Sequence, residues 1–247
     1  AAVMGYLELA LFYDTAVPDA TKANISGAMK ASRRAAEISR LMLAYLGQIG
    51  EEKRRLDLAE TCEEALPLLQ PSLPENVRLC VDLPRPGPVV LGDVALITQI
   101  LTNLLSNAVE AMGDDGGAIT IAIRTKSPEE IRSERFFPAD WEPKAPCYAC
   151  LSVSDTGCGL DPALIEKIFD PFFTTHFTGR GLGLPVALGA ARAHDGGISA
   201  ENNPGGGAIF QVCLPQIQEP LVHGKDELSA SDVDTGKERG ALSSSLA

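Results

Sequence analysis

Basic charge, histidine, paired cysteine motifs and long apolar runs are all scarce in this chain, and each scarcity removes a class of function. Lys and Arg number 21 against 33 Asp and Glu, a net charge of −12. That balance argues against nonspecific binding to nucleic acid or to an anionic membrane, while leaving open a locally positive nucleotide pocket. No apolar run approaches the length of a membrane span, and the opening A-A-V-M-G-Y-L-E-L-A-L has neither a basic start nor a cleavage site. No direct membrane contact is expected of this stretch. The chain contains one lone C-x-x-C, Cys147 to Cys150, with no second pair and no histidine at useful spacing, so zinc chemistry is not expected. All six cysteines are read as free thiols in a reducing cytosol, which gives a cytoplasmic expectation, with the full-length protein possible as a membrane-attached one. Two nucleotide motifs are also missing. There is no G-x-x-x-x-G-K-[ST], and no G-x-G-x-x-G placed after a strand, so neither a P-loop nor a Rossmann site is present.

What remains is an apolar fraction of 45% in 247 residues, enough for one mid-sized domain and a smaller element. Residues 1–50 read as two helices broken at T-A-V-P-D (15–19). Ile25, Met29, Ser32, Ala36, Ser39, Leu43 and Leu46 form a narrow stripe at three- and four-residue spacing, the seam of a hairpin that would pair with a second copy as a four-helix bundle. Residues 51–217 read as a mixed α/β domain. Alternating strands are expected at 77–83, 118–125, 148–154 and 208–214, and helices at about 57–70, 93–112, 161–168 and 183–195. Their order suggests one mixed sheet covered by helices on one face. The excursion 126–147 carries Phe136, Phe137 and Trp141, for which local packing is expected. From about Glu219 the composition turns to that of a disordered tail or linker, 218–247.

The chemistry sits in short boxes in a fixed order: N-L-L-S-N-A-V-E-A (103–111), D-T-G-C-G-L (155–160), F-D-P-F-F-T-T (169–175), G-R-G-L-G-L (179–184) and P-G-G-G-A (204–208). On the helix at 93–112, Gln99, Asn103, Asn107 and Glu110 make a polar stripe opposite an apolar one. Asparagine is a poor helix former, so two of them one turn apart need a reason. Amide oxygens suit Mg²⁺ bound together with phosphates and water, and Asn107 is the candidate metal ligand. Asp155 ends a strand and can accept a hydrogen bond from an adenine amino group, while Gly157 and Gly159 let the backbone approach a flat ring. Gly179, Gly181, Leu182 and Gly183 open a helix whose N–H groups can face phosphate. Arg180 either reaches a phosphate oxygen or is a solvated loop charge. With Asn103 and Asn107 it completes the candidate catalytic set. The three phenylalanines of the third box read as an anchor for the loop, a docking surface for the hairpin, or both.

Taken in this order, the boxes resemble the N, G1, F, G2 and G3 boxes of sensor histidine kinase catalytic domains, in the GHKL ATP-binding superfamily, over roughly residues 52–216. Residues 1–50 resemble the dimerisation and phosphotransfer hairpin of the same kinases through G-Y-L-E-L-A (5–10) and R-R-A-A-E-I-S-R-L-M-L-A-Y (33–45). The resemblance implies an α+β fold, a two-layer α/β sandwich of the Bergerat type behind a helical hairpin. It implies ATP with Mg²⁺ under a lid spanning about 174–182, with Asn103 and Asn107 at Mg²⁺ and phosphates and Asp155 at adenine. It also implies a homodimer formed by the hairpin, and a γ-phosphoryl passed to a histidine and then to an Asp of a response-regulator receiver domain.

The sequence departs from the family pattern in several places. Glu110 stands where many such kinases carry a basic residue, His176 where Lys is frequent, and Ala208 where Thr is frequent. Water-activating GHKL ATPases carry Glu at the position of Asn103, so phosphoryl transfer is favoured over hydrolysis. His176, His194 and His223 all lie outside the first hairpin helix, and His194 reads as a helix-capping residue. The phosphoacceptor histidine is expected in an H-D-F-N-N-type box just upstream of Ala1, so self-phosphorylation is not expected of this stretch. The alternatives are a pseudokinase scaffold or phosphotransfer partner, and a GHKL ATPase.

Overall fold

The computed structural model describes residues 21, 25–29, 32, 53–174 and 181–217. Of the expected hairpin only residues 21, 25–29 and 32 fall among these, and they are helical. The expected tail lies outside the described residues. The rest forms β1 (Arg54–Asp57), α1 (Leu58–Leu69), β2 (Val77–Asp82), β3 (Val89–Gly92), α2 (Val94–Met112), β4 (Gly117–Lys126), α3 (Pro128–Arg132), β5 (Phe136–Phe137), β6 (Tyr148–Asp155), α4 (Gly183–Ala193), β7 (Gly197–Asn202) and β8 (Ala208–Pro215).

Six strands make one mixed sheet in the order β2-β4-β6-β8-β7-β5, in which β2 runs parallel to β4 and every other pair is antiparallel. Strands β1 and β3 form a separate antiparallel pair. Alternation along each strand sorts side chains to two faces. Ile119, Ile121 and Ile123 of β4, Ala149, Leu151 and Val153 of β6, and Phe210, Val212 and Leu214 of β8 join one core with Ile97, Ile100, Leu101, Leu104 and Leu105 of α2. By length and mean hydropathy, 1.2, the stretch Val94–Asp115 would pass for a membrane span. Here it is the core helix, with one stripe buried on the sheet and a polar stripe left over. Asp93 caps it by accepting from Ala95 N–H (2.8 Å) and Leu96 N–H (3.1 Å), and Asp57 caps α1 in the same way.

The excursion 126–147 closes the opposite face. Phe136 and Phe137 form β5 against β7, and Phe136, Ile131 and Tyr148 cluster around Cys150 and Cys213 with Trp141 against them. Trp141 meets Phe136 at 5.0 Å and Tyr148 edge-on at 5.8 Å between ring centroids. Local packing of these rings, as expected, is what the structure shows.

Two expectations are corrected. Residues 161–168 form a chain of turns and no helix: most bonds are i to i−3, as from Leu164 N–H to Asp161 O (2.9 Å) and Lys167 N–H to Leu164 O (2.8 Å). Asp161 Oδ1 takes Ala163 N–H, and the segment is too short for helix propagation to outweigh nucleation. Second, Cys150 and Cys213 are not free thiols. They face each other across β6 and β8 and form a disulfide, while Cys62, Cys80, Cys147 and Cys158 are free. Strands β1, β3, β5 and β7 were not expected from the sequence.

Candidate functional site

Helix α2 carries the site along one line of its surface. Asn103, Asn107 and Ala111 recur every four residues, so they stack on one face over about 12 Å of helix. At the Asn103 end, the start of α4 comes alongside: a Cβ built on Gly183 would meet Asn103 Cβ and Oδ1 at 3.9 Å. Leu182, the residue before α4, is buried and supplies no side-chain cap to the first-turn N–H groups. At the Ala111 end, the turn after β6 is held by a bond from Cys158 N–H to Ala111 O (3.1 Å). Gly157 lies so close there that a Cβ would stand 2.5 Å from the Ala111 carbonyl oxygen.

Asp155 closes this end. It is 1% exposed, and its Oδ1 accepts from Gly157 N–H (2.8 Å) and Ala208 N–H (3.2 Å). Gly207 has φ of 86°, and a Cβ on it would lie 2.0 Å from the Asp155 carbonyl oxygen, so only glycine lets β8 begin there. Both donors go to one carboxylate oxygen. The other, Oδ2, is buried without a hydrogen-bond partner. Burial raises the carboxyl pKa above its ordinary value, and the two N–H bonds only partly oppose this. Asn103 shows the same signature. Its Oδ1 accepts from Gln99 Nε2 (3.1 Å), while its Nδ2 is buried and unpartnered. Buried polar atoms are normally satisfied, so one orphan on α2 and another at the end of β6 are the groups a polar ligand could engage.

The structure therefore brings together Asn103, Asn107, Asp155, Gly157, Leu182 and Gly183. Gly159 lies on the outer side of the turn, against the Asn202 side chain, and Gly181 packs under the Phe172–Phe173 backbone, accepting Phe172 N–H (2.8 Å). Gly179, Arg180 and His176 lie outside the described residues, as does most of the expected lid. Phe169 is a buried anchor against Phe137 (4.7 Å), whereas Phe172 is 55% exposed. Glu110 is exposed, near Ser106 Oγ at 3.5 Å. His194 caps the end of α4, as expected. It also joins helices, since Nε2 accepts Asp93 N–H (2.9 Å) and Nδ1 bonds Ala190 O (2.7 Å). Sequence reasoning placed Gly207 in the P-G-G-G-A box without giving it a role of its own, and it missed Asn202. The glycine run 205–207 pointed to the first; nothing in the pattern pointed to the second.

Comparison with known proteins identifies the family. The profile of the family described as histidine kinase-, DNA gyrase B-, and HSP90-like ATPase matches residues 92–218. The chain belongs to this family. Among its relatives, the sensor protein FixL of Bradyrhizobium diazoefficiens is 33% identical over 75% of this chain and 34% of its own length. The sensory histidine kinase/phosphatase NtrB of Salmonella typhimurium is 33% identical over 63% of this chain and 42% of its own. The chain thus spans well under half the length of these curated relatives. The solved catalytic domain of histidine kinase ThkA is 28% identical with a TM-score of 0.54, covering 67% of this chain and 97% of that one. Full-length ShkA, at 21% identity, shares the fold with a TM-score of 0.65 over 89% of this chain and 44% of its own. The described domain, matched by the family profile over residues 92–218, accordingly has a histidine kinase-type ATP-binding fold, a sheet packed against helices.

Proposed function

We propose that this domain binds ATP with Mg²⁺ along the α2 face and donates the γ-phosphoryl group to a protein histidine, from which it passes to an Asp of a response-regulator receiver domain. The observation that carries the reading is the pair of buried, unpartnered atoms, Asp155 Oδ2 beside the turn that packs on Ala111 and Asn103 Nδ2 about two turns back along α2. Their chemistry fits the two ends of ATP. An acceptor suits the adenine amino group, and a donor suits a phosphate oxygen. Asn107 lies between them, where its amide oxygen would hold Mg²⁺. The metal, when bound, neutralises phosphate charge. The chain's own residues hold and orient: Asp155 fixes the base, Gly157 leaves room for it, and Asn103 with the open amides of α4 draws the phosphates to one end. Arg180, with Gly179 and Gly181 in the lid, would cover them.

Asn103 also bears on the competing reading of a water-activating ATPase. An amide cannot take a proton from water, and its Oδ1 is already engaged by Gln99. Transfer to a protein side chain needs no such base in the pocket. The same reading assigns residues 1–50 to a dimerising hairpin, 51–217 to the catalytic domain and 218–247 to a tail or linker. The exposed Phe172 would meet the hairpin. Binding of a fluorescent ATP analogue with and without Mg²⁺ tests the pocket. Radiolabel transfer to a histidine-bearing hairpin supplied in trans tests donation. No Mg-dependent binding would sink the proposal, and steady ATP hydrolysis without transfer would favour the ATPase.

A further inference from the structure

Asp155 keeps Oδ2 unengaged while two N–H groups, from two separate segments, hold Oδ1. Gly157 belongs to the turn after β6, and Ala208 begins β8. If either segment drifted, the carboxylate would rotate and its free oxygen would lose its aim. Something must fix the two segments to each other.

Asn202 does this. It is the last residue of β7 and is paired with Ala208 on the final rung of the β7–β8 ladder. Its side chain reaches across to the turn and grips both polar atoms of one residue: Oδ1 accepts Leu160 N–H (2.6 Å) and Nδ2 donates to Leu160 O (2.9 Å). Gly159 packs against the same Oδ1, with room for a hydrogen and none for a side chain. The turn thus has three ties among the described residues. Asp155 Oδ1 holds its start, Ala111 O its middle and Asn202 its end. The neighbouring Asn203 secures the other side, taking Gly205 N–H at its Oδ1 (3.2 Å) and bonding Ser154 Oγ through Nδ2 (3.1 Å).

We infer that Asn202 is a positioning residue for base recognition: it joins the Gly157–Leu160 turn to the Ala208 rung and so sets the orientation of the Asp155 carboxylate that distinguishes adenine from bases without the exocyclic amino group. This rests on the nucleotide reading of the pocket. Both polar atoms of the Asn202 side chain are taken up by Leu160, so its effect runs through the Asp155 carboxylate and falls on selectivity.

The test compares the affinities of ATP and inosine triphosphate, which replaces the amino group by a carbonyl, for the whole chain with Mg²⁺. The native chain is expected to prefer ATP by about 10- to 150-fold, the weight of one hydrogen bond to a charged acceptor. In Asn202→Ala that preference falls by about fivefold or more, mostly through weaker ATP binding, while inosine triphosphate changes by less than about twofold. Asn202→Asp, which can still accept Leu160 N–H but cannot donate to Leu160 O, gives an intermediate preference and carries the test if the alanine variant does not fold. Equal losses for both nucleotides, or an unchanged preference in a folded variant, would overturn the inference and leave the nucleotide reading standing. Failure of the native chain to bind either nucleotide would overturn the reading itself.

Discussion

Replacing Asp155 by Asn separates the needs of the fold from those of the ligand. The asparagine oxygen can occupy the place of Oδ1 and keep the bonds from Gly157 N–H (2.8 Å) and Ala208 N–H (3.2 Å). Its NH₂ then stands where Oδ2 was, turning a buried acceptor into a buried donor. For ATP the consequence is severe, because a hydrogen bond to a charged acceptor is worth about 1.5–3 kcal/mol and a donor now faces a donor. Affinity should fall by at least about 10- to 150-fold. For the fold the sign is opposite. The folded-state pKa of Asp155 is raised by burial, so the folded chain binds its proton more tightly than the unfolded chain. Stability is therefore greatest below the ordinary value of 3.8 and declines as pH climbs through the raised pKa, leaving a penalty at neutral pH. Asparagine carries no such penalty. Asp155→Asn is expected to melt at or above the temperature of the native chain at pH 7 while losing ATP, and to flatten the pH dependence of melting in the acid range. Calorimetric titration of ATP and thermal unfolding at several pH values measure both. A variant that binds ATP normally, or that unfolds at markedly lower temperature, refutes the assignment of Oδ2 to the ligand.

Three further outcomes are expected. Asn103→Leu removes a buried unpartnered donor and improves helix propensity, so it should stabilise the domain by roughly 1 kcal/mol while lowering Mg-ATP affinity by about tenfold or more; retained affinity in a titration would show that Asn103 is only structural. Burial lowers the pKa of His194 below 6.5, outweighing the Ala190 carbonyl and the nearby Asp93 and Asp195 charges that oppose it, while Lys53 adds to the lowering. The unfolded chain then binds the extra proton first, so this stability is complete above about pH 6.5 and is lost as pH falls towards the depressed value; His194→Gln should remove that slope from melting curves taken between pH 5 and about 7. Maleimide labelling of the native chain should reach Cys158 first, since it is exposed, and spare Cys62, whose thiol burial pushes up to about 12. Under denaturing, non-reducing conditions Cys150 and Cys213 stay unlabelled while the other four react, and labelling of all six would refute the disulfide.

Much of this architecture could be read from the sequence, where side-chain period and composition carried it. The strand of β4 shows in Ile119, Ile121 and Ile123 because one face is fully buried, and α2 shows because its apolar stripe is long. The disulfide escaped because the two cysteines are 63 residues apart and meet only through the β6–β8 register. β1 and β3 are four-residue strands, and the charges of Arg54 and Arg55 hid the first. β7 reads G-I-S-A-E-N, too poor in branched residues to announce itself, yet it is buried between two strands and ends on Asn202. At the site, residues that would touch a ligand were legible from chemistry, as with Asp155 and the two asparagines. Residues that aim those groups were not, because a contact such as Asn202 to Leu160 exists only once the chain has closed.

That difference explains why the orphaned atoms are so informative. Elsewhere the described domain satisfies its buried polar groups. Thr61 Oγ donates to Asp57 O at 2.8 Å, Asp93 caps α2, and both ring nitrogens of His194 are engaged. The domain can therefore satisfy polar groups in its interior, and it leaves two unsatisfied, one on α2 and one at the end of β6. Each costs about 1–3 kcal/mol, against a total stability of roughly 5–15 kcal/mol for an ordinary domain. A fold with no ligand for these two groups would gain stability from Leu at 103 and Asn at 155. Keeping Asn and Asp there makes sense only if a partner with a donor at one end and acceptors at the other regularly fills the space between them, which is the description of a nucleoside triphosphate held by its base and its phosphates.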